Sequence, residues 1–509
     1  MSPPIASLLF AVGIAGLFYL DRDESARPSK ALWLPIIWLG TNGSRSVSAW
    51  LGMDMSPGTG GLPPNSLLDQ AVAAALMLLG VIVLVRRGSD VIYLLKASWP
   101  ILLYFSFALI SVSWSDFPAW GFKRWFRALG DVIMVLIIVT DAQPATALRR
   151  LFTRVGFVLL PLSLLFIKYY PTLGTTYDPF GARENTGVTT DKNMLGVLTY
   201  VITLGALWQV LSLLRDKEQP HFRRRLLAHG TLLAFGIDLL FTSHSATSGT
   251  CFVLGAGLVL AMGRPLFQRG PAAVHVLILT ILLAGGVAVL LGGGTHAASA
   301  LGRDPTLSGR TEIWEMLIPM VPNAIGGAGF ETFWAGPRAE EVNAKNIAAG
   351  GEGGPHEAHN GYIEMYLNLG WIGVGLIALI LGQGYSRAVG AFRRDPGLGA
   401  VLVAYVVTAV TYNITEAGFR MLGPSWFFLL LAVVGANRII SLGETASEAA
   451  EELAGPTLEV RESNVPGLRP TRMDSWTSRG LETRSEKIDT NNPRLELLGS
   501  EFTISNFRG

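Results

Sequence analysis

Apolar runs of roughly 20 residues recur along the chain, separated by short polar connections. A run of this length crosses a bilayer as one α-helix, because a helix satisfies its own backbone hydrogen bonds. The pattern predicts an all-α, polytopic integral membrane protein with about 12 or 13 transmembrane helices. The predicted spans are Ile5–Leu20, Ala31–Gly40, Leu67–Val85, Pro100–Ser113, Phe126–Val139, Leu151–Ile167, Leu195–Leu214, Leu226–Phe241, Phe252–Met262, Val274–Leu291, Gly361–Leu381, Ala400–Thr415 and Leu422–Val434.

Lysine and arginine cluster in alternate loops between these spans. Examples are Arg86–Arg87, Arg149–Arg150, Arg223–Arg225 and Arg393–Arg394. Because basic residues accumulate on the cytoplasmic side of a membrane, the remaining loops, including the long loop at residues 292–360, are expected to face outside. For a bacterial protein this predicts a multi-pass protein of the inner (cytoplasmic) membrane whose outer loops lie in the periplasm.

The composition agrees with a membrane location. The chain is 50% hydrophobic and 15% charged, whereas soluble domains carry about 25% charged residues. An ordinary soluble protein is therefore excluded, and residues 1–440 are predicted to form the membrane domain. Residues 441–509 are rich in Glu, Arg, Ser, Thr and Pro, which predicts a disordered cytoplasmic tail. The single cysteine excludes a disulfide framework.

The stretch Gly350–Gly375 places titratable side chains at the start of a predicted span. A glycine-rich segment leads to His356, Glu357, His359 and Asn360, and a long apolar run follows. Titratable groups at a membrane boundary normally pair, face a wet cavity or take part in chemistry. A histidine there is suited to act as a general base for an acceptor hydroxyl, because its ordinary pKa lies near neutral pH. The same residues could instead be solvated loop residues at an ordinary lipid boundary.

Three arginines in predicted outer loops are candidates for binding phosphate. Arg124 follows the sequence SWSDFPAW, Arg183 lies in a loop rich in turn-forming residues, and Arg310 lies at a predicted helix start. Guanidinium groups and helix N-termini both suit phosphate oxygens, so these arginines could hold a diphosphate. The alternative for each is a solvated or snorkelling cation at the membrane interface.

A carboxylate and a histidine pair complete the candidate chemistry. Glu416 lies at the outer end of a predicted span, where a carboxylate is a candidate functional group; an ion pair with Arg420 is the structural alternative. The sequence HEAH at residues 356–359 departs from the zinc motif H-E-x-x-H and no third ligand is evident, so no metal site is predicted. No cofactor is predicted, and the lack of a G-x-x-x-x-G-K-[ST] loop argues against direct use of ATP.

Taken together, these residues resemble a known family. The sequences that carry the resemblance are LWLPIIWLGTNGSRSVSAWLG, SVSWSDFPAWGFKRWFRALGD, GARENTGVTTDKNMLG, SGRTEIWEMLIP followed by GGAGFETFWAG, and HEAHNGYIEMYLNLGWIG. In their order and placement they resemble the bacterial O-antigen ligase and polysaccharide polymerase family across residues 30–435. The first sequence is most similar to the exopolysaccharide polymerase branch.

The resemblance implies a chemistry. Members of that family use undecaprenyl-diphosphate-linked saccharides as donors on the periplasmic face. It implies arginines that hold the diphosphate and a histidine that activates the acceptor hydroxyl without a metal. His359 and Arg310 match the family's motifs best, followed by Arg183 and Arg124, whereas His356, Asn360 and Glu416 are further candidates. The expected enzyme is a metal-independent, inverting glycosyltransferase of exopolysaccharide or surface polysaccharide biosynthesis.

The acceptor remains open at this point. A polymerase would join repeat units to a glycan, whereas a ligase would transfer a chain onto lipid A core. From other classes, the alternatives are a polysaccharide transporter or lipid-linked flippase, and a scaffold for an envelope synthesis complex. The expected partners are the lipid-linked oligosaccharide, a glycan or lipid A core acceptor, the lipid bilayer and a possible polysaccharide synthesis complex, with no nucleic acid.

Overall fold

The structure is a computed structural model of the 509-residue chain. It describes residues 1–23, 28–53, 66–177, 181–270, 272–280, 310–348 and 357–454. The α-helices are α1 Pro3–Leu20, α2 Trp33–Asn42, α3 Val47–Trp50, α4 Leu67–Arg87, α5 Ser89–Ala97, α6 Trp99–Ser111, α7 Pro118–Val139, α8 Pro144–Tyr169, α9 Pro171–Gly174, α10 Lys192–Arg215, α11 Phe222–Thr242, α12 Ala246–Met262, α13 Pro265–Arg269, α14 Arg310–Leu317, α15 Pro337–Ala348, α16 Gly361–Arg394, α17 Pro396–Thr415 and α18 Pro424–Ala454.

Short elements complete the described part of the chain. Two three-residue strands, β1 Thr175–Tyr177 and β2 Arg183–Asn185, pair antiparallel with Thr176 opposite Glu184. Three 3-10 helices lie at Lys30–Leu32, Val112–Trp114 and Ile318–Met320. The prediction of an all-α, polytopic membrane protein is confirmed.

Eight of the described helices are long and apolar enough to cross a membrane, and the pair α5 and α6, bent by 81°, makes a ninth if it forms one span. Three further predicted spans fall short of that criterion. Helix α2, at the predicted span Ala31–Gly40, has 10 residues. Helix α12 has 17 residues, and α7 carries charged side chains along its first half. Most of the predicted span Val274–Leu291 lies outside the described residues. The count of 12 or 13 spans therefore stays a prediction.

The spans differ in how deeply they are buried. In the apolar windows of α8, α10 and α17, 72%, 72% and 78% of the residues are buried, against 11% in α1 and 28% in α4. Side chains that face lipid do not need to be covered by protein, so α1 and α4 lie at the periphery and the other three form the centre. Phe152 stacks on Tyr405 and on Phe428 where α8, α17 and α18 meet.

A bend in α16 provides a docking place for the loop at residues 323–329. Gly370 has φ 63°, which breaks the helical path. Backbone N–H groups of Ala328 and Gly329 donate to the carbonyls of Leu367 and Asn368 before the bend, at 3.0 and 2.9 Å. A Cβ atom on Gly370 would lie 2.2 Å from the carbonyl oxygen of Ile325. Only glycine permits both this φ and this close approach.

The last helix extends beyond its predicted end. Helix α18 continues to Ala454, past residue 441, where the sequence analysis begins the tail. The residues ETASEAAEELA are good helix formers, which explains the continuation. Met1–Glu452 form one compact unit. Residues 455–509 lie outside the described residues, so their predicted disorder and cytoplasmic location stay predictions.

Candidate active site

A cavity of about 910 Å³ opens at one end of the helix bundle. Its walls come from α2, α4, α7, the start of α10, the segment before α16 and the loop after α17. The described residues that line it include His359, Glu357, Glu416, Arg310 and Arg420. Residues from widely separated segments thus share one space, which is termed the His359 cavity below.

Asn360 fixes the chain where it enters α16. Its side-chain oxygen accepts hydrogen bonds from the backbone N–H groups of Tyr362 and Ile363, at 2.9 and 3.0 Å. Its side-chain nitrogen donates to the carbonyl oxygen of Ile414, at 2.9 Å. Asparagine is a favoured N-cap residue because it satisfies N–H groups that have no partner inside the helix. Asn360 therefore sets the position of the adjacent His359, whose φ of 48° lies in the left-handed region.

Glu364 fixes the backbone of Ala358, the residue before His359. One carboxylate oxygen accepts from the backbone N–H of Ala358, at 3.0 Å, and the other from the indole nitrogen of Trp334, at 2.6 Å. The amide of Asn368 donates to the same oxygen as Trp334, at 3.2 Å. Glu364 is fully buried. These contacts satisfy a buried carboxylate and fix the backbone on which His359 is presented.

Two carboxylates face the imidazole of His359. Its Nδ1 atom lies 3.0 Å from a Glu357 oxygen and 3.4 Å from a Glu416 oxygen. Burial alone would lower the pKa of His359, but hydrogen bonds and charge interactions with Glu357 and Glu416 outweigh it and raise the pKa to about 9. Burial alone would raise the pKa of Glu357, and His359 and Arg420 instead hold it below its usual value. The imidazole is therefore protonated at neutral pH when the cavity is empty.

Guanidinium groups pair with the same carboxylates. Arg310, at the start of α14, lies 3.1 Å from Glu416 and also donates to the backbone carbonyl of Thr415. Arg420 lies 3.4 Å from Glu357. The sequence alternative, an ion pair between Glu416 and Arg420, is therefore not the pairing found. Each carboxylate contacts both the imidazole and an arginine.

A third arginine–carboxylate pair joins α7 to the loop before α15. Arg124 is 2.8 Å from Glu331, whose carboxylate is buried. Burial alone would raise the pKa of Glu331, but Arg124 and Arg420 hold it below its usual value. One turn further along α7, Arg127 donates to the side-chain oxygen of Asn42, at 3.1 Å. The described lining of the cavity thus contains four guanidinium groups, those of Arg124, Arg127, Arg310 and Arg420.

Asp131 braces the loop that carries Glu416 and Arg420. Its carboxylate is buried and accepts from the indole nitrogen of Trp38, at 2.8 Å, and from the backbone N–H of Leu422, at 2.9 Å. Leu422 has φ 64°. Asp131 therefore ties α7 to α2 and to the loop at residues 416–423.

The structure brings most of the predicted site residues together. His359, Glu416, Arg310 and Arg124 line one cavity, and Asn360 lies beside it. Arg183 is not among the described lining residues; it lies on β2 and donates to the carbonyl oxygen of Ile167, at 3.3 Å. The geometry therefore gives its predicted contact with a diphosphate no support. His356 lies outside the described residues.

Sequence reasoning missed several residues of the cavity. Glu357 and Arg420 were visible as neighbours of His359 and Glu416, but nothing in the sequence indicated that they pair. Asn193, which donates to Glu416 at 3.2 Å, carries no local signal, and neither does Glu331, which is not a lining residue but pairs with Arg124. Such pairs are separated by up to 223 residues. They could be found only from the tertiary structure.

Glu357, His359 and Glu416 also have the composition of a metal site. One ligand-type atom from each lies within 4.8 Å of the others. The sequence analysis found no third ligand beside the two histidines, and the fold supplies two carboxylates. However, each carboxylate already pairs with a guanidinium group, which offsets the negative charge that would attract a cation. The predicted absence of a metal stays a prediction.

Comparisons with known proteins add a second line of evidence. A family model described as O-antigen ligase matches residues 231–378, an interval that includes Arg310 and His359. The resemblance to the O-antigen ligase and polysaccharide polymerase family is confirmed. The exopolysaccharide production protein ExoQ of Rhizobium meliloti (strain 1021) is 29% identical over 312 residues, which cover 58% of this chain and 68% of that protein. This relative agrees with the predicted similarity to the exopolysaccharide branch of the family.

Proposed function

We propose that this protein is a membrane glycosyltransferase of exopolysaccharide or surface polysaccharide biosynthesis. It transfers or polymerises undecaprenyl-diphosphate-linked oligosaccharide on the periplasmic face of the bacterial inner membrane. The observation that carries the proposal is the placement of His359 between Glu357 and Glu416, with Arg310 and Arg420 on the same carboxylates, inside one large cavity. The matching O-antigen ligase family model supports the same class of reaction.

His359 acts as the general base in this mechanism. Its neutral imidazole takes the proton from the acceptor sugar hydroxyl while the hydroxyl oxygen attacks the anomeric carbon of the donor. The new C–O bond forms as the bond between that carbon and the diphosphate breaks, and the diphosphate leaves with the bonding electron pair. Because the attack is opposite the leaving group, the configuration at the anomeric carbon is inverted.

Glu416 and Glu357 stabilise the imidazolium that forms when His359 accepts the proton. The same carboxylates raise its pKa to about 9, which makes the neutral imidazole a strong base and also a minor species at pH 7. The mechanism therefore requires a rate that increases with pH through the neutral range.

The guanidinium groups offset charge on the departing diphosphate. Arg310 and Arg420 lie on the His359 side of the cavity, and Arg124 and Arg127 on the α7 side. Guanidinium groups held in place before the reaction stabilise developing negative charge without reorganising.

The apolar side of the cavity suits a lipid-linked donor. Val72, Ala73 and Leu76 of α4 line it together with Met194 and Val197 of α10. Helix α4 is peripheral, and many of its side chains are exposed where the membrane would lie. A polyprenyl chain that leaves the cavity along α4 would remain in hydrocarbon while its diphosphate stays among the arginines.

The decisive experiment measures glycan products of the purified protein supplied with lipid-linked repeat units, with and without lipid A core. A ladder that grows from the donor alone identifies a polymerase, and a product that requires lipid A core identifies a ligase. No transfer under either condition contradicts the proposal and favours a transporter or flippase. The same assay after treatment with EDTA tests metal independence: we expect no loss of activity, and a loss that Mg²⁺ or Mn²⁺ restores would assign a metal to Glu357, His359 and Glu416.

A further inference from the structure

A second cavity lies beside the first and has a different chemistry. Its volume is about 590 Å³. Its lining is polar and apolar in about equal parts, and the apolar part includes Phe117, Met320 and Pro337. Its rim carries two cationic and two anionic side chains, Arg338, Lys345, Asp116 and Glu341.

The rim contains a hydrogen-bond donor without a partner. The Nη2 atom of Arg338 lies 2.7 Å from Asp116, and the guanidinium group packs over the ring of Phe333 at 5.4 Å. The Nη1 atom of Arg338 is buried and has no hydrogen-bond partner among the described residues. Lys345 and Glu341 pair at 2.8 Å and are half exposed. A buried donor without a partner is unfavourable, so a ligand that accepts its hydrogen bond gains affinity.

The chemistry of this cavity favours a neutral, hydroxyl-rich ligand. A diphosphate would require an excess of cations, whereas the cations and anions of this rim are balanced. A lipid chain would not tolerate four charged groups around the mouth of its site. A sugar presents C–H faces to apolar walls and an aromatic ring, and hydroxyl groups to a few fixed polar side chains, which is the usual composition of a small-molecule pocket.

Two rigid elements join the second cavity to the His359 cavity. Helix α14 begins with Arg310 in the first cavity and is followed at once by Pro319 and Met320 in the second, a rise of about 11 Å from Arg310 to Leu317. Phe117, directly before α7, lines the second cavity, and Arg124 of α7 lines the first, about 11 Å further along. One short oligosaccharide can therefore span both cavities.

A small hydrophobic core packs together segments that line the two cavities. It contains Leu317 of α14, Phe333, Val342 of α15 and Ala358, the residue before His359. The ring of Phe333 that supports Arg338 therefore belongs to the same packed cluster as the backbone that presents the proposed base. The two cavities are fixed relative to each other by packing.

We propose that the second cavity is a subsite for the sugars of an oligosaccharide whose reacting end lies in the His359 cavity. This inference rests on the proposed function, and it adds the place at which the glycan is recognised away from the bond that reacts. Recognition of remote sugars explains how one enzyme distinguishes a complete repeat unit from a truncated one, because binding energy is gained far from the reacting carbon.

The test compares donors that differ only in glycan length. The two donors are the lipid diphosphate with a complete repeat unit and the same lipid diphosphate with one monosaccharide. In Arg338→Gln, we expect the KM for the complete donor to rise about tenfold more than the KM for the truncated donor, because one charge-assisted hydrogen bond is lost. Glu341→Trp, at an exposed rim position, narrows the cavity without removing buried contacts and should change the same ratio. Lys123→Gln, an exposed residue of α7 that lines neither cavity, is the matched control.

Varying the acceptor in the same way shows whether the subsite holds the donor glycan or the acceptor glycan. A direct measurement keeps the subsite separate from the reaction: repeat-unit oligosaccharide, released from the cell's lipid-linked donor by mild acid, is titrated into the intact detergent-solubilised protein. Binding that both variants weaken supports the subsite even if no transfer occurs, in which case the proposed function alone has failed. If the wild-type protein transfers glycan and neither variant changes the KM ratio or the binding, the subsite is refuted.

Discussion

His359 is the residue on which the proposed chemistry depends most directly. It is one of seven histidines in the chain, and it lies in the cavity with two carboxylates on its Nδ1 atom. His359→Ala should lower the transfer rate about 10²- to 10⁴-fold, as is typical when a general base is removed. His275→Ala is the matched control, because His275 is exposed, contacts Tyr385 and lies outside the cavity. A His359→Ala protein that remains folded and active would exclude the role.

The raised pKa of His359 predicts the pH dependence of the reaction. A general base works in its deprotonated form, so protonation at neutral pH suppresses the rate. With a pKa of about 9, kcat/KM should rise about tenfold per pH unit from pH 6 to 8 and level off near pH 9. Glu416→Gln removes a negative charge that lies beside the imidazole. The pKa of His359 should therefore fall, and the plateau should move to lower pH. A wild-type profile that is flat across this range, or that falls with increasing pH, would contradict the assignment.

Glu364 is predicted to act by positioning His359. In Glu364→Gln, the amide cannot accept from both Ala358 and Trp334 as the carboxylate does, so the His359 backbone loses one of its two supports. We expect kcat to fall about tenfold with little change in KM, because misplacement affects the transition state more than binding. The plateau in the pH profile should stay near pH 9, since Glu357 and Glu416 are unchanged. Glu312→Gln, exposed on α14, is the control; an unchanged kcat in Glu364→Gln would refute the positioning role.

At the level of elements, the sequence predicted the helix starts that matter for the site. The start of α16 after Asn360 is confirmed, because a good N-cap and a long apolar run are local signals. The helix start predicted beside Arg310 stays a prediction, because residues 301–309 lie outside the described part of the chain. The bend at Gly370 and the docking of the loop at residues 323–329 were not predicted. These features depend on a contact between two segments, and no local pattern records it.

The bend in α16 makes a further prediction. Gly370→Ala would place a Cβ atom 2.2 Å from the carbonyl oxygen of Ile325, on a residue with φ 63°. Since this φ alone costs about 1 to 3 kcal/mol for a residue with a side chain, the protein should melt at a lower temperature in detergent. Transfer activity should fall as well, because the displaced loop leads to Glu331. Gly375→Ala, on the same helix with no atom within 4 Å of the new Cβ, should be neutral. Equal melting temperatures for the two variants would contradict this account of the bend.

At the level of the whole molecule, the site is assembled from segments that are far apart in the sequence. His359 and Glu416 are separated by 57 residues, and Arg124 and Glu331 by 207. Predicted orientation placed Arg124, Arg310, His359 and Glu416 on one side of the membrane, which is why they could be proposed as one site. Arg183 met the same criterion and does not reach the cavity. The predicted membrane face therefore narrowed the candidates but did not identify which residues line one cavity, because the sequence carries no distances.

The orientation itself is testable, because α10 connects the two ends of the bundle. Its 24 residues, Lys192–Arg215, span about 36 Å; Asn193, its second residue, lines the His359 cavity, and Arg215 lies at the other end. The loop that follows carries the basic residues that predict the cytoplasmic side. Lys345→Cys, on exposed α15 near the cavity end, should therefore react with a membrane-impermeant maleimide in intact spheroplasts. Lys217→Cys should react only after the membrane is permeabilised.

The chain provides its own background control for this labelling experiment. Cys251 is the single cysteine in the sequence, and its thiol is buried. Because a buried thiol is not accessible to the reagent, the unmodified protein should remain unlabelled both in spheroplasts and in open membranes. Labelling of Lys217→Cys from outside, or of both variants from the same side, would reverse or remove the proposed orientation. Because undecaprenyl-diphosphate-linked glycans are proposed to react on the periplasmic face, that outcome would also place the His359 cavity on the wrong side for the proposed reaction.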